Sequence, residues 1–345
     1  MSLTTCEPPA VSVVIPVRNE ARHIEACLRN VLAFESPTGA FEVIIADGRS
    51  DDDTRGIIER IAQRDPRVRL VDNPERTTPC GLNAAIKAAK ANVILRIDAH
   101  TVYAPDYLRR CLEVQAVTGA DNVGGPWVAQ GETYLQKAIA AAFRCPLTSG
   151  GARSHDVSHE GPVDSVYLGC WPREVFDRIG LFDQEFVRNQ DDELNYRMLQ
   201  TGHRIWQSPR IRSWYTPRNS LGALFRQYFQ YGYWKIRVMQ KHGKPASPRH
   251  LVPCVFVSMV LTLAATAPLQ HLSRILLLGA MGVYGLALAT AAAMTAAESE
   301  WSLLPILPLV VACYHVSYGL GSLFGVWDFL IRRRSRGRFV ALTRG

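Results

Sequence analysis

The sequence predicts an α/β domain built on a mostly parallel sheet, followed by a C-terminal region of membrane helices. Two observations support this prediction. Between residues 11 and 98, four short apolar stretches rich in Val and Ile alternate with segments of helical periodicity, as in a parallel sheet with crossover helices. Between Leu251 and Trp327, the charged residues are only Arg274, Glu298 and Glu300, which is typical of helices that lie in a membrane.

Each predicted element of the first domain corresponds to a short stretch of sequence. The stretches typical of buried strands are VSVVIPV from residue 11, FEVIIADG from 41, VRLVDNP from 68 and NVILRIDAH from 92. The helical segments between them place apolar residues three or four positions apart. Ligands of such sheets bind beyond the carboxyl ends of the strands, so we expect a site there. Its candidate residues are the polar ones that follow the strands: Arg18, Asn19, Glu20, Asp47, Asp72, Asn73, Asp98 and His100.

Several common classes of protein lack their signatures in this chain. No G-x-G-x-x-G follows the first strand and no G-x-x-x-x-G-K-[ST] is present, so the glycine-rich phosphate loops of dinucleotide folds and P-loop NTPases are excluded. The cysteines include no C-x-x-C pair, which argues against a metal cluster. Much of the net charge of +8 lies beside the apolar region, which favours anionic lipid over nucleic acid as a partner. The N-terminus has no signal-peptide pattern, so we expect the first domain in the cytoplasm.

The fourth predicted strand ends with a carboxylate and an imidazole two residues apart, Asp98 and His100. In an extended chain these side chains point to the same face, so both could approach one divalent cation. Carboxylate oxygen suits Mg²⁺ or Mn²⁺, and the imidazole favours Mn²⁺. Taken alone, the pattern also fits a strand end that meets water.

A second acidic motif, NQDDELNYR, places Asp191, Asp192 and Glu193 at the start of a predicted helix. Acids at this position can cap the helix and complement its dipole. Alternatively, one of them is the carboxylate base that a transfer to a hydroxyl acceptor requires. Between the two motifs, Cys145–Ser165 is rich in Gly, Ser and His, which predicts a long loop in which His155 and His159 are solvated.

Five segments together resemble a known family. VSVVIPVRNE, VIIADGRSDDDT, GLNAAIKAAKANVILRIDAH, GLFDQEFVRNQDDELNYR and RQYFQYGYWK follow one another in the order and spacing of family 2 glycosyltransferases with the GT-A fold. The resemblance covers roughly Val11 to Lys235. It implies a nucleotide-sugar-binding domain that needs a divalent cation, Mn²⁺ or Mg²⁺.

The resemblance also implies roles for individual residues. Asp98 matches the first acid of the D-x-D motif, with His100 in place of the second, and both would bind the metal. Asp191 matches the catalytic base of an inverting transfer, whereas Gln190 stands where many members have Glu. The remaining donor-binding residues that it implies are Pro16, Arg18, Glu20, Asp47, Ser50 and Asn83, with Thr54 in the same motif as Ser50. The implied acceptor-side residues are Glu193, Arg197, Gln227 and Trp234, to which we add Trp127 as either an acceptor contact or a core residue.

The resemblance implies a function as well. It suggests an inverting hexosyltransferase that moves a sugar, glucose from UDP-glucose, to a glycan linked to polyprenyl diphosphate during exopolysaccharide biosynthesis. Two alternatives stay open at this point. The chain could transfer a sugar directly to polyprenyl phosphate, or it could bind a nucleotide-sugar at the membrane without catalysing a reaction.

The apolar C-terminal region predicts attachment to the inner (plasma) membrane, with the catalytic domain in the cytoplasm. We divide the chain into a catalytic domain (1–222), an amphipathic interfacial segment (223–250), membrane-embedded helices (251–331) and a basic cytoplasmic tail (332–345). The candidate membrane segments are Leu251–Leu269, Ile275–Ala297 and Leu303–Trp327. Two crossings, by the second and third segments, place the basic clusters inside, and the first segment is then re-entrant or interfacial.

Overall fold

The structure is a computed structural model that describes residues 9–37, 39–244, 247–334 and 337–339. The chain divides into two compact units, each formed by two separate stretches. The first unit comprises the described residues of Met1–Val128 and Asp156–Tyr215. The second comprises those of Ala129–His155 and Thr216–Gly345.

The strands and helices are numbered in chain order. The strands are β1 (Val11–Val17), β2 (Phe41–Asp47), β3 (Val68–Asp72), β4 (Val93–Arg96), β5 (Thr101–Tyr103), β6 (Asn122–Gly125), β7 (Val128–Ala129), β8 (Gly161–Pro162), β9 (Tyr167–Pro172), β10 (Ile205–Gln207) and β11 (Ser213–Tyr215). The helices are α1 (Ile24–Leu32), α2 (Thr54–Ala62), α3 (Thr78–Ala88), α4 (Tyr107–Thr118), α5 (Tyr134–Arg144), α6 (Pro146–Ser149), α7 (Arg173–Ile179), α8 (Gln190–Gln200), α9 (Leu221–His242), α10 (Val252–Thr266), α11 (His271–Glu298) and α12 (Leu307–Gly325).

The first unit is built on an eight-stranded sheet in the order β3-β2-β1-β4-β9-β6-β10-β8. β1 to β4 are parallel to one another, and β9 runs antiparallel between β4 and β6. The predicted mostly parallel sheet is therefore confirmed. Apolar side chains form a core on each face of the sheet, because successive side chains of a strand point to opposite faces.

The fourth strand differs from its sequence-based description. β4 ends at Arg96, and Asp98 and His100 lie in the turn that follows, so the assumption of an extended chain through His100 is wrong. The side chain of Tyr103 explains the turn. Its hydroxyl accepts a hydrogen bond from the N–H of Asp98 (2.9 Å) and donates one to the carbonyl of the same residue (3.1 Å).

The second unit contains the apolar helices. Three of its helical segments are long and apolar enough to cross a bilayer: Pro248–Thr266, His271–Glu298 and Leu307–Ile331. In the first two, 11% of the most apolar stretch is buried within the protein, whereas in the third 50% is buried. The two-crossing arrangement stays a prediction, because length and composition alone qualify all three.

The third of these segments is half-buried because α9 packs along α12. Glycines bring the two backbones together: a Cβ added to Gly232 would lie 2.1 Å from the carbonyl oxygen of Tyr318, and one added to Gly321 would lie 2.0 Å from that of Phe229. No larger side chain fits at either position without moving a helix. The segment 223–250, predicted to be interfacial, thus contributes a helix that packs lengthwise on an apolar one.

The segment Ala129–His155 belongs to the second unit, although the sequence places it within the catalytic domain. Part of the predicted loop Cys145–Ser165 is ordered into α6 and a 3-10 turn at Arg153–His155. The ring of His155 stacks on Phe143 with their centroids 4.1 Å apart, so this histidine is not the solvated loop residue that the sequence predicts. The predicted domain boundaries otherwise stay a prediction.

Candidate active site

The loops that follow β1 and β2 are fastened to each other by hydrogen bonds. The N–H of Asn19 donates to the hydroxyl of Ser50 (2.9 Å), and the N–H of Glu20 donates to that of Thr54 (2.8 Å). In return, the N–H of Asp51 donates to the side-chain oxygen of Asn19 (2.8 Å). These bonds between side chain and backbone hold the first edge of the predicted site in one conformation.

Asp47 lies at the end of β2, and its carboxylate is completely buried. It accepts a hydrogen bond from the hydroxyl of Ser50 (2.6 Å) and lies 3.8 Å from the guanidinium of Arg55. Arg18 lies nearby in the first loop, 3.6 Å from Asp51. A buried acid next to fixed hydroxyl and N–H groups can recognise the polar edge of a base or a ribose.

His100 is paired with Glu20 rather than with Asp98. Its Nδ1 lies 3.3 Å from Oε1 of Glu20, and both side chains are largely buried. A carboxylate on one ring nitrogen orients an imidazole and leaves Nε2 for a ligand. The sequence did not predict this pairing, because Glu20 and His100 are 80 positions apart.

Arg96, the last residue of β4, is a site residue that the sequence analysis missed. Its Nη1 donates to Oδ1 of Asp191, while Nε and Nη2 lie 3.4 and 3.2 Å from Oδ1 of Asp98. The side chain is 4% exposed. One buried guanidinium therefore joins the two acids to which the sequence assigns the metal site and the base.

The three acids at the start of α8 have three different partners. Asp191 pairs with Arg96, and Asp192 accepts a hydrogen bond from the amide of Asn189 (2.7 Å). Glu193 is completely buried and paired with Arg197 (2.8 Å). The N-cap residue of the helix is Asn189, whose side chain makes no cap hydrogen bond within the part of the chain that the structure describes. Helix capping alone therefore does not explain this acidic run.

The carboxyl group of Asp191 combines a raised pKa with an accessible side chain. Loss of surrounding water raises its pKa from the ordinary 3.8 to about 6. The positive charge of Arg96 opposes this rise, and the charges of Asp98 and Asp192 reinforce it. The Asp191 side chain is 37% exposed, so a hydroxyl group can reach it. A carboxylate with these properties is suited to general base catalysis near neutral pH.

Arg197 and Asn83 hold the protein together around the site. Arg197 donates to the carbonyl of Leu181 (2.8 Å) in addition to its bonds with Glu193. Asn83 donates to the carbonyl of Phe182 (2.8 Å) and accepts from the N–H of the same residue (3.0 Å). Both side chains thus fix the segment that precedes α8, and their predicted substrate contacts stay predictions.

The remaining predicted site residues of the first unit are Pro16 and Trp127. Pro16 is within β1, and its side chain would lie 3.2 Å from a Cβ added to Gly81, so α3 packs closely there. Trp127 stacks on Tyr167 with centroids 5.1 Å apart and an angle of 11° between the rings. Tyr167 in turn shares a hydrogen bond with the hydroxyl of Thr101 (2.8 Å).

Gln227 and Trp234 belong to the second unit. Gln227 accepts from Nε of Arg218 (3.1 Å) and donates to the hydroxyl of Tyr231 (3.0 Å). Trp234 is 1% exposed, and its Nε1 donates to the carbonyl of Phe339 (3.1 Å). In this structure the indole is a packed residue of α9. Its predicted role as an acceptor contact stays a prediction.

The donor set of Asp98 and His100 fits a cation site that the substrate completes. Among the described residues, no three His, Cys, Asp or Glu side chains are grouped as a metal site. Asp98 can offer its Oδ2, because its hydrogen bonds to Arg96 use Oδ1, and His100 can offer Nε2. Two protein ligands are what Mg²⁺ or Mn²⁺ commonly requires when phosphate oxygens and water supply the rest.

Comparison with known proteins defines the class. The model of the family "Glycosyl transferase family 2" matches residues 12–156. The chain belongs to family 2 of the glycosyltransferases, and it has their GT-A fold. It is 37% identical over 243 residues to "Succinoglycan biosynthesis protein ExoA" of Rhizobium meliloti (strain 1021), an alignment that covers 70% of this chain and 73% of that protein.

Two further proteins extend the comparison. The chain is 26% identical over 240 residues to a "Dolichyl N-acetyl-alpha-D-glucosaminyl phosphate 3-beta-D-2,3-diacetamido-2,3-dideoxy-beta-D-glucuronosyltransferase" of Methanococcus voltae, covering 67% of this chain and 74% of that one. The structure of "Mannosyltransferase PcManGT from Pyrobaculum calidifontis in complex with GDP-Man and Mn2+" superposes with a TM-score of 0.59 at 20% identity. That superposition covers 93% of this chain and 88% of the other, and it supports the fold.

Proposed function

We propose that this glycosyltransferase moves one sugar from a nucleotide diphosphate donor to a hydroxyl group of a lipid-linked glycan, with inversion at the anomeric carbon. The observation that supports this most is the arrangement of Asp47, Asp98 and Asp191. Asp47 is the last residue of β2, Asp98 follows β4, and Asp191 lies in the first turn of α8. Arg96 joins Asp98 to Asp191, and Asp191 combines a raised pKa with an accessible carboxylate. A nucleotide-binding acid, a cation-binding acid and a base are the three groups that the reaction needs.

The first step is binding of the donor. Asp47 would accept hydrogen bonds from the base or ribose, and the hydroxyl of Ser50 would donate or accept them. Arg18 would lie near the phosphates. Asp98 and His100 would hold Mn²⁺ or Mg²⁺, which neutralises charge that develops on the diphosphate leaving group. Glu20 orients the ring of His100 from the opposite side.

The transfer itself balances without any further reactant. The acceptor oxygen forms a bond to the anomeric carbon while the bond from that carbon to the diphosphate oxygen breaks. The hydroxyl proton passes to Asp191, and the electron pair of the broken bond leaves with the nucleoside diphosphate. Attack from the face opposite the leaving group inverts the configuration, by the same geometry that applies to inverting glycosidases.

The relatives and the apolar helices support the substrates that we propose. The similarity to a succinoglycan biosynthesis protein supports exopolysaccharide as the product class, and UDP-glucose is the donor that the resemblance to the family implies. The name of the Methanococcus voltae protein contains a sugar on dolichyl phosphate, and the described residues include three helices apolar enough to cross a membrane. Both support a polyprenyl-linked glycan as the acceptor, which we propose is carried on diphosphate. The Pyrobaculum calidifontis mannosyltransferase was solved in complex with Mn²⁺, which supports a divalent cation.

The second unit supports an even number of membrane crossings. The described end of the basic tail lies against α9: the ring of Phe339 is 5.0 Å from that of Phe229, and its carbonyl accepts from Trp234. Two crossings by the second and third apolar segments place both Arg274 and the basic residues after the third segment on the cytoplasmic side, where positive charge is favoured. We therefore propose two crossings of the plasma membrane with the catalytic unit in the cytoplasm.

A panel of radiolabelled nucleotide-sugars tests the function. Membranes that contain the protein and native lipid would be supplied with each donor with and without Mn²⁺, and label would be followed into the lipid extract. We expect label from UDP-glucose in a lipid that carries a glycan on diphosphate, and no label with Asp191→Asn. Label on polyprenyl monophosphate alone would instead indicate the direct synthase, and donor binding without turnover would indicate a non-catalytic protein.

A further inference from the structure

The position of Arg96 follows from the sheet. Arg96 pairs with Val14 in the parallel ladder of β1 and β4, so its backbone is fixed at the centre of the sheet. Side chains two residues apart in a strand point to the same face. Ile94 packs in the cluster that includes Leu194 and Met198 of α8. Arg96 therefore points to the α8 face as well, where its guanidinium meets the first turn of that helix.

The contacts use the shape of the guanidinium. Nη1 donates to Asp191, whereas Nε and Nη2 share one oxygen of Asp98. The nitrogens of an arginine lie in one plane at fixed angles, so two carboxylates bonded to different edges are held at a fixed separation. A lysine ammonium is a single point of charge and does not reproduce this geometry.

Arg96 also supplies the positive charge between the carboxylates of Asp98 and Asp191. Nη2 of Arg96 lies 3.2 Å from Oδ1 of Asp98, and its Nη1 is paired with Oδ1 of Asp191. An arginine guanidinium keeps its charge in proteins, so it balances part of the negative charge of these two acids. The protein thus already holds a permanent cation next to the carboxylate that would bind the metal.

We propose that Arg96 is a positioning residue of the transfer reaction, which fixes the base Asp191 relative to the cation-binding acid Asp98 and weakens cation binding there through competition for that acid. The proposal rests on the proposed function for the meaning of the two acids. Its geometric part is independent of the sugar and the acceptor.

Two variants separate geometry from charge. Arg96→Met keeps much of the length of the side chain and removes its charge, so Mn²⁺ binding should become about tenfold tighter, because a unit charge a few ångströms from the ion is removed. Without the bridge, kcat should fall by about 100-fold, since small misplacements of a catalytic group cost that much, while the KM for the donor changes little. Arg96→Lys keeps the charge, so this variant should retain the wild-type Mn²⁺ affinity. It should retain only part of the wild-type kcat, because the ammonium does not reproduce the geometry of the guanidinium.

Mn²⁺ affinity would be measured by electron paramagnetic resonance on the purified full-length protein with UDP present, and kcat and KM by transfer of labelled sugar in membranes. Arg173→Met is the matched control, because Nη1 of Arg173 donates to the carbonyl of Ala89 away from the site. It should leave Mn²⁺ affinity and kcat unchanged. Circular dichroism melting would confirm that each variant folds, and if Arg96→Met does not fold, Arg96→Lys carries the test alone.

Weaker Mn²⁺ binding in Arg96→Met, or wild-type kcat in both variants, would overturn the proposal. A failure of the proposed function gives a different result. In that case Asp191→Asn retains transfer, while the Mn²⁺ titration of Arg96→Met still reports on the contact between Arg96 and Asp98.

Discussion

The pH dependence of transfer gives the most direct test of the assigned base. As the proposed base, Asp191 would act when ionised, and its pKa in the free protein is about 6. At pH 7 about nine-tenths of the molecules carry the ionised form, and at pH 5 about one-tenth do. The value of kcat/KM should therefore rise about tenfold from pH 5 to pH 7 and then level off. With an ordinary aspartate pKa near 4, the same interval would change kcat/KM by only about 10%.

The assay is the initial rate of label transfer at donor concentrations below KM, between about pH 4.5 and 8 at constant ionic strength. Under these conditions kcat/KM reports the free enzyme, which is the state that the structure describes. Asp192→Asn is the matched control, since Asp192 is the neighbouring acid and its charge raises the pKa of Asp191. This variant should keep its activity, and its acidic limb should move to lower pH.

Two results would refute the assignment. The first is an acidic limb near pH 4, or none, in the wild-type protein. The second is Asp191→Asn with undiminished transfer, because loss of a general base should lower the rate by about 10² to 10⁴. Loss of transfer in both Asp191→Asn and Asp192→Asn would point to disruption of α8 rather than to base catalysis.

Three further substitutions test other parts of the structure. His100→Asp replaces nitrogen by oxygen at the cation site, so the ratio of activity with Mg²⁺ to activity with Mn²⁺ should rise; an unchanged ratio would show that the imidazole does not bind the ion. Asn83→Ala removes both hydrogen-bond partners of the Phe182 backbone, so the free energy of unfolding, measured by denaturant titration, should fall by about 1–3 kcal/mol. An unchanged free energy of unfolding would show that water replaces the two lost hydrogen bonds. Gly321→Leu should separate α9 from α12 and lower the melting temperature, whereas Gly279→Leu, which meets open space, should not.

Much of the first unit could be predicted from sequence, because its signals are local. Apolar stretches of seven residues predicted β1 and β2 with nearly correct bounds, and helical periodicity predicted that helices lie between the strands. The turn at Asp98 could not be predicted, since it depends on the hydroxyl of Tyr103. The partnership of Arg96 with Asp191 could not either, because it joins residues 95 positions apart.

The grouping of α5 with the apolar helices in one compact unit could not be predicted for a related reason. The sequence of α5 is that of an ordinary amphipathic helix, with a capping box formed by Thr133 and Gln136. Nothing local assigns it to the apolar C-terminal half. The hydroxyl of Tyr314, which donates to the carbonyl of Ile139 (3.2 Å), is 175 positions away. Membership in a compact unit is a property of such distant contacts.

The surroundings of the acids also support the separate roles proposed for them. Both carboxylate oxygens of Glu193 accept hydrogen bonds from Arg197, so this acid is not placed to take a proton from an acceptor. Asp98 bonds two nitrogens of Arg96 through Oδ1, which leaves its Oδ2 to be offered to a cation. Asp191 is bonded to Arg96 at Oδ1, and its side chain is partly accessible. The desolvation that raises its pKa makes it a stronger base than an aspartate in water. The proposed base and the proposed cation ligand thus differ through their surroundings, although both are aspartates that contact the same arginine.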